Sequence, residues 1–300
     1  MTARDEVERM STIRRFIDAI RSDLSWRIPL YRSFIFYLLT CHNFMDVIRY
    51  ERDHKLFDHF DIRGGVVIHF KSIADAVIMI KDIWLHRVYT RYYKGPTPRI
   101  IVDIGANIGF FAMYAKRLWP SSRVQCYEPE PGNVELLRHN VRASPIIDVS
   151  VYNRAAAKRS GKQSLFLSES AGGHSLVVPE EDTSKKIVDV STIDLKGIIS
   201  TSGGCIDFLK IDCEGCEWDL LEGNEDLLRN HVGYVVMEYH EIPGKCRADM
   251  LALFQRAGFD CWAGPPDKWN NGMLYATPHK RRDARCSSGF SEGASSPRAI

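Results

Sequence analysis

Short apolar segments alternate with amphipathic segments between residues 99 and 278. The apolar segments have the length and β-branched content of strands, and the segments between them repeat apolar residues at helical spacing. Strands are predicted at 100–104, 123–127, 148–152, 206–211, 232–238, 259–263 and 272–276, and helices at 109–119, 130–142, 215–229 and 246–257. This alternation predicts an α/β fold in which helices cover both faces of a parallel sheet.

Residues 1–95 follow a different pattern. Stripes of apolar residues at helical spacing within 13–24 and 73–84 predict a mainly helical extension, and residues 66–70 between them predict a short strand. Glycine and proline residues at 95–98 end the second helical segment. We therefore expect an extension over residues 1–95 and an α/β domain over residues 96–278.

Two segments do not fit the alternation. Residues 160–195 contain two strand-like runs, 163–167 and 187–191, on either side of a glycine-rich loop that includes His174. We expect this segment to be an insertion near the functional site. Residues 279–300 are rich in Arg, Ser and Gly with little apolar content, which predicts a disordered tail.

The charge balance argues against nucleic acid as the default partner. The chain has 40 Lys and Arg against 38 Asp and Glu, a formal net charge of +2, without the basic excess that neutralises nucleic-acid phosphates.

Residues 1–23 lack the apolar stretch of a signal peptide, and the apolar run 34–41 is far shorter than the roughly twenty residues that span a bilayer. We expect a cytoplasmic protein without a transmembrane segment, with peripheral membrane contact through the first fifty residues as an open alternative.

Eight cysteines are scattered through the chain, at positions 41, 126, 205, 213, 216, 246, 261 and 286. A disulfide framework is usually dense and set in a small secreted domain, so free thiols in a reducing compartment are expected. Cys213 and Cys216 form a C-x-x-C pair, but no second pair completes a four-ligand zinc site. These two thiols are interpreted as packing residues.

The first predicted α/β strand runs into a glycine-rich turn, Asp103-Ile-Gly105-Ala-Asn107-Ile-Gly109, that opens a helix. Such a turn lets a ligand approach the backbone at the carboxyl edge of the sheet. A phosphate-binding P-loop is excluded because Phe110, not Lys, follows Gly109. A dinucleotide site prefers a third glycine, and Asp103 would repel its pyrophosphate but attract the ammonium and sulfonium of S-adenosylmethionine. The turn therefore favours S-adenosylmethionine.

The second strand ends in Tyr127-Glu128-Pro129, about twenty residues after the turn. An acidic side chain at this place accepts both hydrogen bonds from a ribose diol. Tyr127 is more often a packing residue than a platform for adenine. Glu128 is therefore the predicted ribose ligand.

Three carboxylates, Asp212, Glu214 and Glu217, follow the strand 206–211, and Glu238 and His240 follow the strand 232–238. Carboxylates this dense repel one another unless cations or helix amides offset the charge, which suggests function. Glu214 and Glu217 are predicted on the substrate side together with His174, with helix capping as the alternative for the two glutamates and loop exposure for His174. His240 has an unperturbed pKa near neutrality and suits the removal of a hydroxyl proton, with Asp212 and Glu238 as competing bases.

Five segments, in this order and at this spacing, resemble the FkbM family of S-adenosylmethionine-dependent methyltransferases. They are 103–109, 127–129, 190–194, 209–217 and 238–240, and the Lys-Ile-Asp-x-Glu-Gly-x-Glu block at 210–217 is the most specific. The resemblance covers about residues 88–276. It implies a Rossmann-like class I methyltransferase sheet of seven mostly parallel strands with one antiparallel strand, and O-methylation of a small molecule or sugar hydroxyl.

The same resemblance assigns the cofactor residues. It implies that the turn lines the methionine end of S-adenosylmethionine, that Glu128 binds the ribose and that the segment after the third strand borders the adenine. The expected cofactor-binding residues are Asp103, Gly105, Ala106, Asn107, Gly109, Glu128, Pro129, Asn153, Ala155 and Asp212. No metal is expected.

Other function classes stay open. A metal-dependent O-methyltransferase would use the carboxylates at 212, 214 and 217 as ligands for Mg²⁺. An RNA or protein methyltransferase would need an acceptor groove on the extension, where Lys and Arg are not concentrated. A binding module that kept the fold would hold the cofactor without transferring a methyl group.

Overall fold

The computed structural model describes residues 33–166, 187–268 and 270–279, and the chain divides into two compact units between Gly65 and Val66. The predicted helix at 13–24, the loop around His174 and residues 280–300 of the predicted tail lie outside the described residues. Residues 66–95, which the sequence pattern placed in the extension, belong to the second unit.

The described part of the first unit contains two helices and a strand. Helix α1 covers 33–40, helix α2 covers Phe44–Asp53 and strand β1 covers His59–Ile62. The side chain of Asn43, just before α2, donates from Nδ2 to the carbonyl of His59 (2.7 Å) and accepts from the backbone N–H of Asp61 (2.9 Å). This amide therefore fixes the strand to the start of the helix.

The second unit begins with a strand and a helix that continues into a π-helical turn. These are β2 (Val66–His69), α3 (Ile73–Ile80) and the turn Lys81–Leu85. The hydroxyl of Ser72 accepts a hydrogen bond from the N–H of Asp75 (3.3 Å) and so caps the start of α3. Asn140 and Ser144 hydrogen-bond to the backbone of β2.

Strands and helices then alternate as the sequence pattern predicts. The strands are β3 (Ile100–Ile104), β4 (Arg123–Tyr127), β5 (Val149–Tyr152), β6 (Ala155–Ala156), β7 (Gly161–Phe166), β8 (Ile187–Ile193), β9 (Ile206–Ile211), β10 (Val232–His240), β11 (Phe259–Ala263) and β12 (Asn271–Pro278). The helices are α4 (Phe110–Leu118), α5 (Pro131–Ala143), α6 (Leu195–Thr201), α7 (Glu217–Leu221), α8 (Glu225–His231) and α9 (Arg247–Arg256).

Seven strands form the main sheet in the order β11-β12-β10-β9-β3-β4-β5. All neighbouring pairs from β10 to β5 are parallel, and β12 is antiparallel to both of its neighbours. The prediction of a seven-stranded, mostly parallel sheet with one antiparallel strand is confirmed. The chain leaves β3 toward β4 and later returns to its other side with β9, so the point where strand order reverses lies between β3 and β9, where open α/β sheets bind ligands.

Two elements differ from the predicted pattern. The single helix expected at 215–229 is divided into α7 and α8, because the chain turns at Gly223, which has a left-handed φ of 79°. Helix α6 was not predicted. It begins because the Asp194 side chain accepts a hydrogen bond from the N–H of Gly197 (2.8 Å), an N-cap in a segment too short to show a helical period.

The strand-like runs of the predicted insertion are β7 and β8, which pair antiparallel, with β6 on the other side of β8 in a separate three-stranded sheet. None of the helices in the described residues is long and apolar enough to cross a membrane.

Candidate functional site

The glycine-rich turn after β3 packs directly against the end of β9. Gly105 has a φ of 71°, and a Cβ added to it would lie 1.6 Å from the backbone oxygen of Asp212, so only glycine fits there. Gly109 has a φ of 98°, and its added Cβ would lie 2.4 Å from Leu137 Cδ1. Gly105 therefore brings the two strand ends together, whereas Gly109 allows α4 to pack against α5.

Asp103 does not reach the ligand cleft. Its side chain is 0% exposed, and it lies opposite Lys210 in the β3–β9 register, with Lys210 Nζ 2.9 Å from Asp103 Oδ1. The same ammonium donates to the carbonyl of Gly105 (2.8 Å). Burial disfavours the charge of Lys210, but Asp103 and Asp212 hold its pKa above the usual value. Asp103 thus forms a buried ion pair instead of facing a cationic ligand.

Glu128 occupies the position expected of a ribose ligand. It is 4% exposed, accepts from the N–H of Asn107 at Oε2 (2.8 Å) and from the N–H of Glu130 at Oε1 (3.0 Å), and lines the cleft. Burial raises the pKa of Glu128 to about 7, although these hydrogen bonds act to lower it. The Asn133 side chain also hydrogen-bonds to this carboxylate, whose two oxygens together have about four acceptor sites and so keep capacity for a ligand donor. Asn153 supports this corner by donating from Nδ2 to the carbonyls of Glu128 (3.1 Å) and Pro129 (2.7 Å).

His240 is held between two carboxylates. Its Nδ1 lies 3.1 Å from Glu217 Oε1 and its Nε2 lies 3.4 Å from Glu214 Oε2. Burial alone would lower the pKa of His240, but these two carboxylates raise it to about 11. An imidazolium held in this way has no lone pair with which to accept a hydroxyl proton near neutral pH.

Glu238 and Asp212 face the cleft at the ends of β10 and β9. Burial is the largest cause that raises the pKa of Glu238 to about 8, and the charge of Asp212 contributes to the rise. The nearby His240 acts to lower it. Asp212 Oδ2 accepts a hydrogen bond from the hydroxyl of Tyr89 (2.7 Å) and lies 3.7 Å from Lys210 Nζ. Tyr89 belongs to no motif that the sequence shows, so its place at the site was not predicted.

The cleft has a volume of about 270 Å³ and lies within the second unit, at the point where the strand order reverses. One wall is apolar and comes from α3, the π-helical turn and the start of α4; its residues are Ile78, Met79, Ile83, Phe110 and Phe111. Asp82, in the π-helical turn, adds a carboxylate whose pKa is raised by burial. The sequence does not mark this wall as part of a site, because its residues form only an apolar helical pattern.

The structure brings together most of the predicted site residues around this cleft. Those that line it are Gly105, Ala106, Asn107, Glu128, Pro129, Ala155, Asp212, Glu214 and Glu238. Four others lie behind the lining or to its side, namely Asp103, Gly109, Glu217 and His240, and Asn153 supports the backbone at Glu128. His174 lies outside the described residues.

The cysteine interpretation was wrong for at least three positions. Cys213 and Cys216 form a disulfide, with Cα atoms 5.6 Å apart, and Cys205 is also disulfide-bonded. The short turn Glu214-Gly215, with φ values of 54° and 101°, brings the two thiols of the C-x-x-C together. Cys41, Cys126, Cys246 and Cys261 are free thiols.

A family model described as the methyltransferase FkbM domain matches residues 103–261, just over half of the 300-residue chain. The chain belongs to the FkbM methyltransferase family. The match begins at Asp103 and includes the glycine-rich turn, Glu128, the 210–217 block and Glu238. Membership confirms the predicted enzyme class, a methyltransferase that uses S-adenosylmethionine.

Curated relatives are similar over much of their own length. The methyltransferase sdnD of Sordaria araneosa is 29% identical over 219 residues, covering 63% of this chain and 84% of that protein. The 31-O-demethyl-FK506 methyltransferase FkbM of Streptomyces tacrolimicus is 28% identical over 226 residues, covering 65% and 86%. The 2-O-methyltransferase NoeI of Sinorhizobium fredii is 25% identical over 192 residues, covering 57% and 78%. Tyr89 and the part of the apolar wall that comes from α3 and the π-helical turn precede the residues matched by the FkbM family model, whereas Phe110 and Phe111 lie within them.

Proposed function

We propose that this FkbM-family chain transfers the methyl group of S-adenosylmethionine to a hydroxyl oxygen of a small molecule or sugar, and that Glu238 accepts the hydroxyl proton. The observation that carries the proposal is the position of Glu238: a cleft-facing carboxylate with a pKa of about 8 on β10, which is separated only by β9 from the strand β3 that leads into the glycine-rich turn. The names of two relatives, which state 31-O and 2-O methylation of their own substrates, support an oxygen acceptor.

The residues at the turn fit S-adenosylmethionine. The Glu128 carboxylate keeps acceptor capacity for the ribose diol, and Gly105 lines the cleft without a side chain. Asp212, rather than Asp103, is the carboxylate available to the amino acid end, because Asp103 is buried against Lys210. When bound, S-adenosylmethionine supplies a methyl group made electrophilic by its sulfonium.

Glu238 suits the base role better than His240. A base works best when its pKa lies near the working pH, and the pKa of Glu238 is about 8. His240 is an ion-paired cation whose proton is held by Glu214 and Glu217. We assign His240 the role of positioning Glu214 and neutralising the two glutamates, and Asp212 stays a competing base.

Orientation provides the rest of the acceleration. The apolar wall and the carboxylate side of the cleft would hold the acceptor oxygen in line with the methyl group, and such alignment supplies about 7–11 kcal/mol of a barrier. General base assistance by Glu238 would add about 10²- to 10⁴-fold.

A metal-dependent O-methyltransferase would need some of the same residues as metal ligands. It requires Asp212, Glu214 and Glu217 to share one cation, yet Glu217 is fully buried and its Oε1 lies against His240 Nδ1 and the N–H of Gly215. Glu217 would have to leave these partners to bind Mg²⁺. Activity that survives a chelator favours the metal-free reaction, and activity restored only by added Mg²⁺ favours the alternative.

Mass spectrometry tests the proposal. A metabolite extract is incubated with the purified chain and S-adenosylmethionine that carries an isotopically labelled methyl group, with and without chelator. We expect a labelled product with the wild-type chain, and a much smaller yield with Glu238→Gln. Binding of S-adenosylmethionine without any labelled small-molecule product would support the binding-module alternative, and label on RNA or protein would support the macromolecular one.

A further inference from the structure

Tyr89 joins the site from outside the segment that the FkbM family model matches. It is 7% exposed, lines the cleft and donates a hydrogen bond from its hydroxyl to Asp212 Oδ2 (2.7 Å). Its ring packs edge-on against Phe111, with ring centroids 5.5 Å apart, and Lys210 Nζ lies 5.3 Å from the ring centroid. The tyrosine is therefore held in one orientation between the wall of the cleft and the buried ion pair.

The backbone around Tyr89 is also anchored. The hydroxyl of Tyr275 on β12 donates to the carbonyl of Val88 (2.8 Å), and the hydroxyls of Thr90 and Tyr114 lie 3.2 Å apart in a hydrogen bond. Hydrogen bonds therefore connect Val88 to β12 and Thr90 to α4, on either side of Tyr89.

We propose that Tyr89 is a positioning residue for methyl transfer: it fixes the Asp212 carboxylate toward the bound ligand. This inference rests on the proposed function. A hydrogen bond to a charged group contributes more than a neutral one, and loss of such a bond corresponds to a decrease of roughly 10- to 150-fold in the property it supports.

The test is a double-mutant cycle on Tyr89→Phe and Asp212→Asn, measured as S-adenosylmethionine affinity by calorimetry and as kcat/KM. Tyr93→Phe is the matched control, because it removes a tyrosine hydrogen bond in the same segment, from Oη to the carbonyl of Pro96 (2.5 Å), away from the cleft. We expect Tyr89→Phe to reduce one or both quantities by at least about 10-fold, with little effect in the Asp212→Asn background.

Two results would overturn the role of Tyr89: equal values for Tyr89→Phe and Tyr93→Phe, or full additivity with Asp212→Asn. A shift of the unfolding midpoint in Tyr89→Phe without non-additivity would mean a merely structural tyrosine. Failure of the wild-type chain to transfer a methyl group contradicts the proposed function instead, so the two failures are distinguishable.

The Cys213–Cys216 disulfide carries a second inference from a different observation, and this inference also rests on the proposed function. It closes a ring over Glu214 and Gly215, and both cysteines line the cleft. Within this ring Glu214 has a φ of 54°, in the left-handed region that a residue with a Cβ avoids. Glu214 Oε2 lies 3.4 Å from His240 Nε2, so the ring holds the glutamate in contact with the histidine.

We infer that this disulfide is a redox control on acceptor binding. A dithiol reductant would break the S–S bond with two electrons and two protons, leaving two thiols on the chain and a disulfide on the reductant. Occupying the left-handed conformation costs a residue with a Cβ roughly 1–2 kcal/mol. Without the ring, Glu214 would relax out of this conformation. The reduced chain would then bind the acceptor about 5- to 30-fold more weakly, while its affinity for S-adenosylmethionine is retained.

Kinetics of the oxidised and dithiothreitol-reduced full chain test this inference, using the acceptor found in the labelling experiment. We expect reduction to raise the acceptor KM, reoxidation to restore it, and Cys213→Ser/Cys216→Ser to behave like the reduced chain under both conditions. The free, exposed Cys246 gives the control variant Cys246→Ser, which should respond to reduction like the wild type. An equal KM for oxidised and reduced wild type contradicts the inference, as does a double variant that still responds to dithiothreitol, which would point to the disulfide of Cys205.

Discussion

Lys210 on β9 lies directly opposite Asp103 on β3, with its ammonium 2.9 Å from the carboxylate and both side chains almost completely buried. The ammonium also donates to the carbonyl of Gly105, so the ion pair stabilises the backbone of the glycine-rich turn. A carboxylate that sequence analysis assigned to the cofactor is instead part of the support for the turn.

Removing one partner of this pair should destabilise the fold. Asp103→Leu leaves a buried ammonium without its main counter-charge, which typically costs about 3–5 kcal/mol of unfolding free energy. The double variant Asp103→Leu/Lys210→Met should lose less than either single variant, because no uncompensated charge remains. Urea unfolding of the three variants measures this, and a double variant less stable than both singles would contradict the supporting role.

The pH dependence of methyl transfer should report Glu238. A general base acts in its deprotonated form, so with a pKa of about 8 the rate should rise as the pH rises through about 8 and level off above it. The groups that face Glu238 and set this value are Asp212, Glu214, Glu217 and His240.

Glu238→Gln should remove this rise and lower kcat by about 10²- to 10⁴-fold. Asp219→Asn is the matched control, because Asp219 is exposed and does not line the cleft. A normal pH profile in Glu238→Gln would assign the base elsewhere, with Asp212 as the first alternative.

His240 should behave as a stabilising cation. Its folded-state pKa is raised from 6.5 to about 11, so its ion pairs stabilise the fold fully below about pH 6.5, and this contribution declines as the pH rises toward 11. His240→Gln leaves Glu217 buried without its counter-charge and should cost about 3–5 kcal/mol near neutral pH. Urea unfolding at pH 6 and pH 9 should give a larger loss at pH 6; an equal or larger loss at pH 9 would contradict this role.

Glu128 should determine cofactor affinity. Glu128→Gln weakens two hydrogen bonds to a ribose diol by removing the charge, and bonds to charged groups contribute about 1.5–3 kcal/mol. Calorimetry should therefore show S-adenosylmethionine binding weakened by at least about 10-fold. Glu135→Gln, on the exposed side of α5, is the control, and equal affinities in the two variants would place the ribose elsewhere.

The central strands of the main sheet could be predicted from the sequence because they are buried on both faces. The runs 100–104 and 206–211 are mainly apolar, with Asp103, Asp207 and Lys210 as the exceptions. They are followed by a glycine and an acidic residue, and the structure reproduces these bounds as β3 and β9. Motif spacing likewise brought Glu128, Asp212 and Glu238 to one cleft, since the carboxyl ends of parallel strands share one edge.

Side-chain direction and long-range packing could not be predicted in this way. Whether Asp103 faces a ligand or Lys210 depends on the β3–β9 register, which no local pattern encodes. Tyr89 and Asp212 are 123 residues apart in sequence, and the segment before Tyr89 reads only as an apolar helical stripe. The ion pair of His240 with Glu217 was not predicted for the same reason, because Glu217 lies on α7 and His240 on β10.

The central claim is that the chain methylates a hydroxyl oxygen with Glu238 as base. Carbon-13 NMR of the product formed from S-adenosylmethionine labelled in its methyl carbon tests it most directly, because the chemical shift identifies the atom that carries the methyl group. The account predicts an O-methyl resonance with the wild-type chain and its near loss with Glu238→Gln. An N-methyl or C-methyl resonance, or an O-methyl signal of equal strength in Glu238→Gln, would contradict it.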